Sequence, residues 1–254
     1  MRILITGGSG LLGQYLNIYL SEKNEILTIY NNHPGNCFKF NNLKSDLRNR
    51  TELEVIFNQF KPDVVVHTAA VSDTLIKAAI TPKDVYEINV NVTKNIAELC
   101  DKFGSKIIYT STDLVYAGYR GSYLSEDSKL IPVSLYAETK LMGEVKIREV
   151  SDNYIILRTA LLFGFGLNHS RCHFHKIYDE LKRGNPVKVF IDQYRSPLSL
   201  IEAANLIAGL INLNLKGEII NFGGPERLSR FELAEKLCEQ AGLDKNLLIK
   251  IKLD

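Results

Sequence analysis

Short apolar runs and longer amphipathic stretches alternate along this chain from its first residue. Residues 2–6, 25–30, 63–68 and 106–110 are strand-length runs rich in Ile, Val and Thr. Between them, and after the fourth, residues 11–21, 51–60, 82–102 and 134–150 repeat apolar positions every three or four residues. Each of these stretches opens near Ser, Thr, Pro or Asn, as helix starts do. A fifth run covers 154–157. This alternation predicts an α/β fold, a parallel sheet with crossover helices. Beyond Arg158 the rhythm loosens into glycines and a polar segment, followed by two more helical stretches at 200–213 and 229–241. The expected organisation is a large domain over 1–160, to which 192–213 return, and a smaller C-terminal α/β lobe built from 161–191 and 214–254. No Gly-, Ser- or Pro-rich linker separates them, so a shared interface with a cleft is expected.

Composition narrows the partners. The 254 residues carry 31 basic and 29 acidic side chains, a net charge of +2, with no run of five like charges, which argues against nucleic acid. No apolar stretch reaches the roughly 18 residues that span a bilayer, and the N-terminus enters a strand directly, so no membrane and a cytoplasmic location are expected. Cys37, Cys100, Cys172 and Cys238 lie far apart without C-x-x-C pairing and read as ordinary thiols. Sequon matches at Asn91 and Asn168 have no consequence without a secretory signal.

The chemistry begins at Thr6-Gly7-Gly8-Ser9-Gly10-Leu11-Leu12-Gly13, directly after the first strand and opening the first helix. Gly7 permits a tight turn, Gly10 lets the backbone approach a pyrophosphate, Gly13 lets the helix pack on the sheet, and Gly8 adds a fourth flexible position. The backbone from Gly7 through Leu11, Leu12 and Gly13 then presents a helix N-terminus to phosphate charge. With both flanks in place this is a Rossmann dinucleotide turn on a doubly wound parallel sheet. It is not an ATP-type phosphate loop, because no lysine follows. The second strand ends in Tyr30-Asn31-Asn32-His33, where an acidic residue would otherwise chelate the ribose diol of NAD. Without a carboxylate, Asn31, Asn32 and His33 can donate to a 2′-phosphate, which favours NADP(H) and leaves NAD(H) admissible.

Tyr136 and Lys140 form Y-x-x-x-K, and four residues of helix turn about 400°, placing both on one face. An ammonium beside a phenol favours the phenolate and eases proton exchange near neutral pH. Such a pair commonly just decorates a helix, but here it follows Ser111-Thr112-Asp113-Leu114-Val115-Tyr116 at the carboxyl end of the fourth strand, where ligands of such sheets bind.

Taken in order, these motifs resemble the extended short-chain dehydrogenase/reductase family. The run Tyr136-Ala137-Glu138-Thr139-Lys140-Leu141-Met142-Gly143-Glu144, Arg158-Thr159 with Gly164 and Gly166, and Asp192-Gln193-Tyr194-Arg195-Ser196-Pro197 are more similar to its dTDP-4-dehydrorhamnose reductases. The resemblance implies an oxidoreductase that reduces the 4-keto group of a nucleotide-activated deoxysugar. It implies Thr112 as the hydroxyl on the substrate carbonyl, Tyr136 as proton donor, and Lys140 as the residue that holds the nicotinamide ribose and tunes Tyr136. It further places Ser111 against the cofactor, Asp46 and Leu47 at the adenine, and Ala69-Ala70 beneath the cofactor. Val71, Asp113 and Arg195 join Thr112 at the substrate, and a homodimer is admissible while the oligomeric state stays open.

Three departures qualify this. Leu114 stands where related 4,6-dehydratases carry a Glu for water elimination, so dehydration is disfavoured. Val71-Ser72-Asp73-Thr74-Leu75-Ile76-Lys77 lacks the acidic pattern of the reductases, which leaves the sugar open. The chain ends at Asp254, before an Arg-Pro segment of the family's substrate lobe, so a truncated chain or an incomplete sugar pocket is expected.

His169, Cys172, His173 and His175 crowd together and invite a metal, but polar pocket-lining or surface histidines are the preferred reading, and no metal is expected. His67, inside an apolar run, is expected to be buried and hydrogen-bonded. Two rival functions remain: an NADP-binding regulatory subunit resembling that of methionine adenosyltransferase, and a sugar-nucleotide epimerase that retains NAD.

Overall fold

In the computed structural model, which describes residues 1–72, 80–116, 118 and 121–253, the five apolar runs become strands. Numbered in chain order, they are β1 (Arg2–Thr6), β2 (Glu25–Tyr30), β4 (Val64–His67), β5 (Lys106–Thr112) and β6 (Tyr154–Thr159). Short β3 (Asn42–Lys44) and β11 (Glu218–Phe222) complete a seven-stranded sheet in the order β3-β2-β1-β4-β5-β6-β11. Every pairing in it is parallel. Succession along the chain reverses between β1 and β4, so the crevice beyond their carboxyl ends is where such a sheet receives a ligand.

The central strands are apolar without a break because helices cover both faces. Ile3, Ile5, Val64, Val66, Ile108, Ile155 and Leu157 face one core, shared with Leu16 of α1 (Gly13–Ser21) and with Ala203, Ala204 and Ile207 of α7 (Leu200–Ile211). Leu4, Val65, Ile107, Tyr109 and Ile156 face the other core. There they meet Leu53 and Phe57 of α2 (Arg50–Phe60), Ile96 of α4 (Val92–Phe103) and Ile147 of α5 (Leu135–Val150). The two-residue period of each strand therefore feeds two separate cores.

The single helix expected over 82–102 is divided. Thr81 and Asp84 form a capping box that starts α3 (Pro82–Tyr86), a wider π turn follows at Glu87–Asn91, and α4 then resumes. The π turn carries Asn89 inward, where the side chain is fully engaged, and π turns are frequent at functional sites.

A third core belongs to the later part of the chain. Ile177 and Leu181 of α6 (His173–Lys182), Val189 of β8 (Val187–Phe190), Phe231 and Leu237 of α8 (Arg230–Ala241) and Leu248 of β13 (Leu248–Ile251) pack together. Two small ladders link this region to the sheet's carboxyl edge: β7 (Leu162–Phe163) with β10 (Leu198–Ser199), and β9 (Tyr194–Arg195) with β12 (Leu228–Ser229). The seventh sheet strand, β11, falls within the stretch 214–254 expected in the smaller lobe; it pairs along β6 because that edge is otherwise open. The polar, histidine-rich segment hid α6. No described helix is long and apolar enough to cross a membrane.

The β1–α1 connection is wound tightly. Gly7 sits at φ +70°, in the left-handed region, and a Cβ on Gly13 would lie 2.2 Å from the Gly7 carbonyl oxygen. Gly8 is not a flexible position: its φ is not left-handed, and what it supplies is space, since a Cβ there would lie 1.7 Å from Thr28 Oγ1. Gly8→Ala is expected to destabilise the fold by about 1–3 kcal/mol through overpacking. Adding Thr28→Ala should recover part of that loss, measured by chemical denaturation of both variants.

Candidate active site

The carboxyl ends of β1, β4 and β5 lie side by side at the point where the strand order reverses, and α5 packs against β5. Ser134 caps α5 by accepting from the Ala137 N–H at 3.2 Å, which sets Tyr136 in the first turn and Lys140 one turn later. β5 continues through Ser111 and Thr112, two residues beyond its apolar run, because both pair with β6 opposite Arg158 and Thr159. Thr112 is 4% exposed, and its Oγ accepts from the Leu114 N–H at 3.3 Å, which keeps the hydroxyl proton available for donation.

Lys140 is 1% exposed, and its Nζ has no hydrogen-bond partner among the described residues. It stands 3.9 Å from the centroid of the Tyr109 ring, whose π face attracts it. Burial pulls the ammonium down to about 7, while Glu144 on the same helix acts in the opposite direction. An unpartnered donor at this depth fits a ligand's hydroxyl groups, such as those of a ribose. Beneath it, His67 is buried as expected, with Nδ1 2.6 Å from Thr6 Oγ1 and Nε2 3.0 Å from Thr93 Oγ1. Burial first, and then Lys140, depress His67 to about 3, so it stays neutral.

Ser111 donates to Glu144, which forms a fully buried ion pair with Arg158 at 2.9 Å. Arg158 also donates to the Tyr116 hydroxyl at 2.7 Å and the Glu126 carbonyl at 2.8 Å, and Tyr116 passes the network to Asn221 of β11 at 2.7 Å. Asn89 holds the other side. It accepts from the Val71 N–H at 2.8 Å and donates to the Val71 carbonyl and to Thr139 on α5, each at 3.0 Å. Sequence reasoning assigned no role to Asn89, Glu144 or Tyr109. Nothing in the local pattern marks Asn89, whereas Glu144 lies one turn beyond Lys140 and i,i+4 spacing could have flagged it.

Leu12 is packed in the core, and no side chain among the described residues caps the N-terminus of α1. Asn31, Asn32 and His33 are exposed beyond β2, and Ala69 and Ala70 are half-buried beyond β4. Asp46 is bound by Arg48 at 2.6 Å, which holds its carboxyl below the usual range, and Leu47 packs on the second core.

Two residues expected at the substrate bind each other: Arg195 Nε donates to Asp113 Oδ2 at 2.8 Å, and Nη2 completes a bidentate pair. Burial raises the Asp113 carboxyl, while Arg195 and the nearby Arg230 counteract that. Arg230 donates to Gln193 Oε1 at 2.8 Å. Together these groups form the polar wall between the sheet's carboxyl edge and α8. Residues 73–77 of the departing segment lie outside the described residues.

The histidine cluster disperses. His169 packs against His33, with ring centroids 5.0 Å apart. His175 Nδ1 accepts from the Gly166 N–H, and His173 lies near Arg230. Among the described residues no group of three His, Cys, Asp or Glu could hold a metal ion.

A family model described as the RmlD substrate-binding domain matches residues 1–253. The dTDP-4-dehydrorhamnose reductase of Aggregatibacter actinomycetemcomitans is 28% identical over 97% of this chain and 81% of its own length. Methionine adenosyltransferase 2 subunit beta of Xenopus laevis is 26% identical over 97% of this chain and 74% of its own. Among solved structures, the dTDP-4-dehydrorhamnose reductase of Bacillus anthracis in complex with NADP superposes with a TM-score of 0.85 at 25% identity. That match covers 99% of this chain and 84% of the other.

Two outcomes follow from the buried charges. Lys140 binds its proton with a value near 7 when folded and 10.5 when unfolded, so below pH 7 the full cost of burying the ammonium is present. Between those values only the unfolded chain holds the proton, and stability rises with pH. Lys140→Met should therefore raise the Tm of the cofactor-free protein most at pH 6.5, with the gain shrinking towards pH 10; a constant gain would refute the account. Glu144→Gln, which leaves Arg158 buried without its partner, should cost about 3–5 kcal/mol in denaturant titration.

Proposed function

Because this chain belongs to the RmlD substrate-binding domain family, we propose that it is an NADPH-dependent oxidoreductase that reduces the 4-keto group of a nucleotide-activated deoxysugar. What supports this reading is that α5, which carries Tyr136 and the buried Lys140, packs against β5, at whose carboxyl end Thr112 stands. The residues present fit the cofactor: the uncapped start of α1 suits a pyrophosphate, Asn31, Asn32 and His33 suit a 2′-phosphate, and Lys140 suits ribose hydroxyls. Asp46 and Leu47 would border the adenine, with Ala69 and Ala70 beneath the dinucleotide and Ser111 beside it.

When bound, NADPH supplies the hydride delivered to the sugar carbon. Thr112 donates a hydrogen bond to the carbonyl oxygen and stabilises the negative charge that develops there. Tyr136 gives that oxygen a proton, and the neighbouring Lys140 ammonium lowers the phenol's affinity for it. Tyr109 supports Lys140 from below, and Glu144 restrains its loss of charge. Val71 and the Asp113–Arg195 pair frame the sugar side. The Ser111–Glu144–Arg158 network holds β5 and α5 at a fixed spacing, which sets the distance between Thr112 and Tyr136.

The test is NADPH oxidation with a panel of dTDP-4-keto-6-deoxy sugars. Tyr136→Phe is expected to lower turnover by about 100-fold to 10,000-fold with NADP affinity nearly unchanged; equal loss of both would make Tyr136 structural. The similarity to methionine adenosyltransferase 2 subunit beta supports a second reading, a cofactor-binding regulatory subunit. Cofactor binding without turnover on the whole panel, together with a co-purifying partner, would favour it.

A further inference from the structure

His33 lies on the loop after β2 and His169 on the segment before α6, two stretches far apart in sequence. Their exposed rings lie with centroids 5.0 Å apart and planes inclined at 41°. One buried side chain holds both stretches. Gln14, in the first turn of α1, is 0% exposed. Its Oε1 accepts from the Asn36 N–H at 3.1 Å on the first loop and from Asn168 Nδ2 at 2.6 Å on the second. Its Nε2 reaches the Leu167 carbonyl at 2.9 Å, Ser170 Oγ at 2.8 Å and the Ser9 carbonyl of the glycine turn at 3.1 Å.

The first loop is fixed again where Asn36 Nδ2 donates to the Gln14 carbonyl at 2.8 Å and Asn17 donates to Asn36 Oδ1 at 2.8 Å. On the second, Asn168 takes a left-handed φ of 50°, a conformation that persists when the surroundings over-determine it. His169 stands between two anchored residues, and its position over His33 is built rather than incidental.

Burial and then His33 push His169 below its ordinary value. His33 is the titratable group acting on His169, and Arg171 beside it in sequence is engaged by Asp179. A dianion placed against both rings would reverse that repulsion. In a doubly wound sheet the adenosine ribose lies at the carboxyl end of the second strand, and Tyr30-Asn31-Asn32-His33 carries no carboxylate to repel a phosphate there.

We infer that the Gln14-held pair His33 and His169 is the site of this protein for the 2′-phosphate of NADP, with His169 as a specificity-determining residue reaching across from the later part of the chain. This rests on the reading of the chain as an NADPH-dependent reductase. Preference for the phosphorylated cofactor then falls as pH rises through the imidazole range, because the dianion binds the protonated His169 ring more tightly.

The experiment is calorimetric binding of 2′,5′-ADP and 5′-AMP to the full chain at pH 6.5 and 8.5. That interval keeps the added phosphate largely dianionic, since its second ionisation lies near about 6. The wild type should bind 2′,5′-ADP more tightly than 5′-AMP, by a factor that is larger at pH 6.5. His169→Gln should weaken 2′,5′-ADP about tenfold at pH 6.5, leave 5′-AMP unchanged, and flatten the pH dependence. His33→Gln should act in the same direction. Unchanged 2′,5′-ADP affinity in both variants, equal loss of both probes, or a wild type that does not distinguish them would overturn the inference. Failure of every sugar in the turnover panel, with these binding results intact, would instead overturn the reductase reading alone.

Discussion

Glu144 and Arg158 are buried together at a salt-bridge distance of 2.9 Å, and the functional end of the sheet is organised around them. A buried ion pair repays its desolvation only when its remaining donors and acceptors are satisfied. Here Ser111, Tyr116 and the Glu126 carbonyl complete the set, and Tyr116 extends it to Asn221. The pair therefore couples α5, β5, β6 and β11 through polar contacts that tolerate little displacement. The same carboxylate lies one turn from Lys140 and opposes the loss of its charge.

Lys140 shows what that organisation is for. Its ammonium is buried with an aromatic face on one side and no hydrogen-bond partner among the described residues, a costly arrangement for a chain that only had to fold. The cost is understandable if a ligand's hydroxyls complete the site. Stability is lowered where the chemistry is to be done, and the dense cores on both faces of the sheet offset it. Asn89 plays a comparable part across the crevice, where a π turn presents one amide to Val71 and Thr139. Gln14 does the same at the far end, linking the glycine turn to two loops distant from each other in sequence. Each of these side chains is a junction between elements, and together they give the crevice a defined shape without a ligand.

Local pattern carried much of this. The alternation of apolar runs announced β1, β2, β4, β5 and β6 with small errors at their ends, because strands buried on both faces must be continuously apolar. The glycine turn was readable because its backbone demands, a left-handed φ at Gly7 and a contact too close for a Cβ at Gly13, admit few other residues. That Tyr136 and Lys140 lie one turn apart on α5 was readable because the spacing of the two residues matches the helix repeat. The division of the helix at Glu87–Asn91 was hidden, since a π turn has no periodic signature of its own, and β11 was hidden because a short edge strand is chosen by its partner.

By itself, then, the sequence determined the doubly wound class, the glycine turn between β1 and α1 and the placing of a phenol and an ammonium one turn apart on α5. All of these follow from spacing of a few residues along one element. Only the tertiary structure decided which distant groups act on them: Tyr109 beneath Lys140, Glu144 on Ser111 and Arg158, Arg195 on Asp113, and His169 against His33. Those contacts join residues from different strands, helices and loops, and their strength depends on burial and distance. Neither quantity exists until the sheet has closed its crevice.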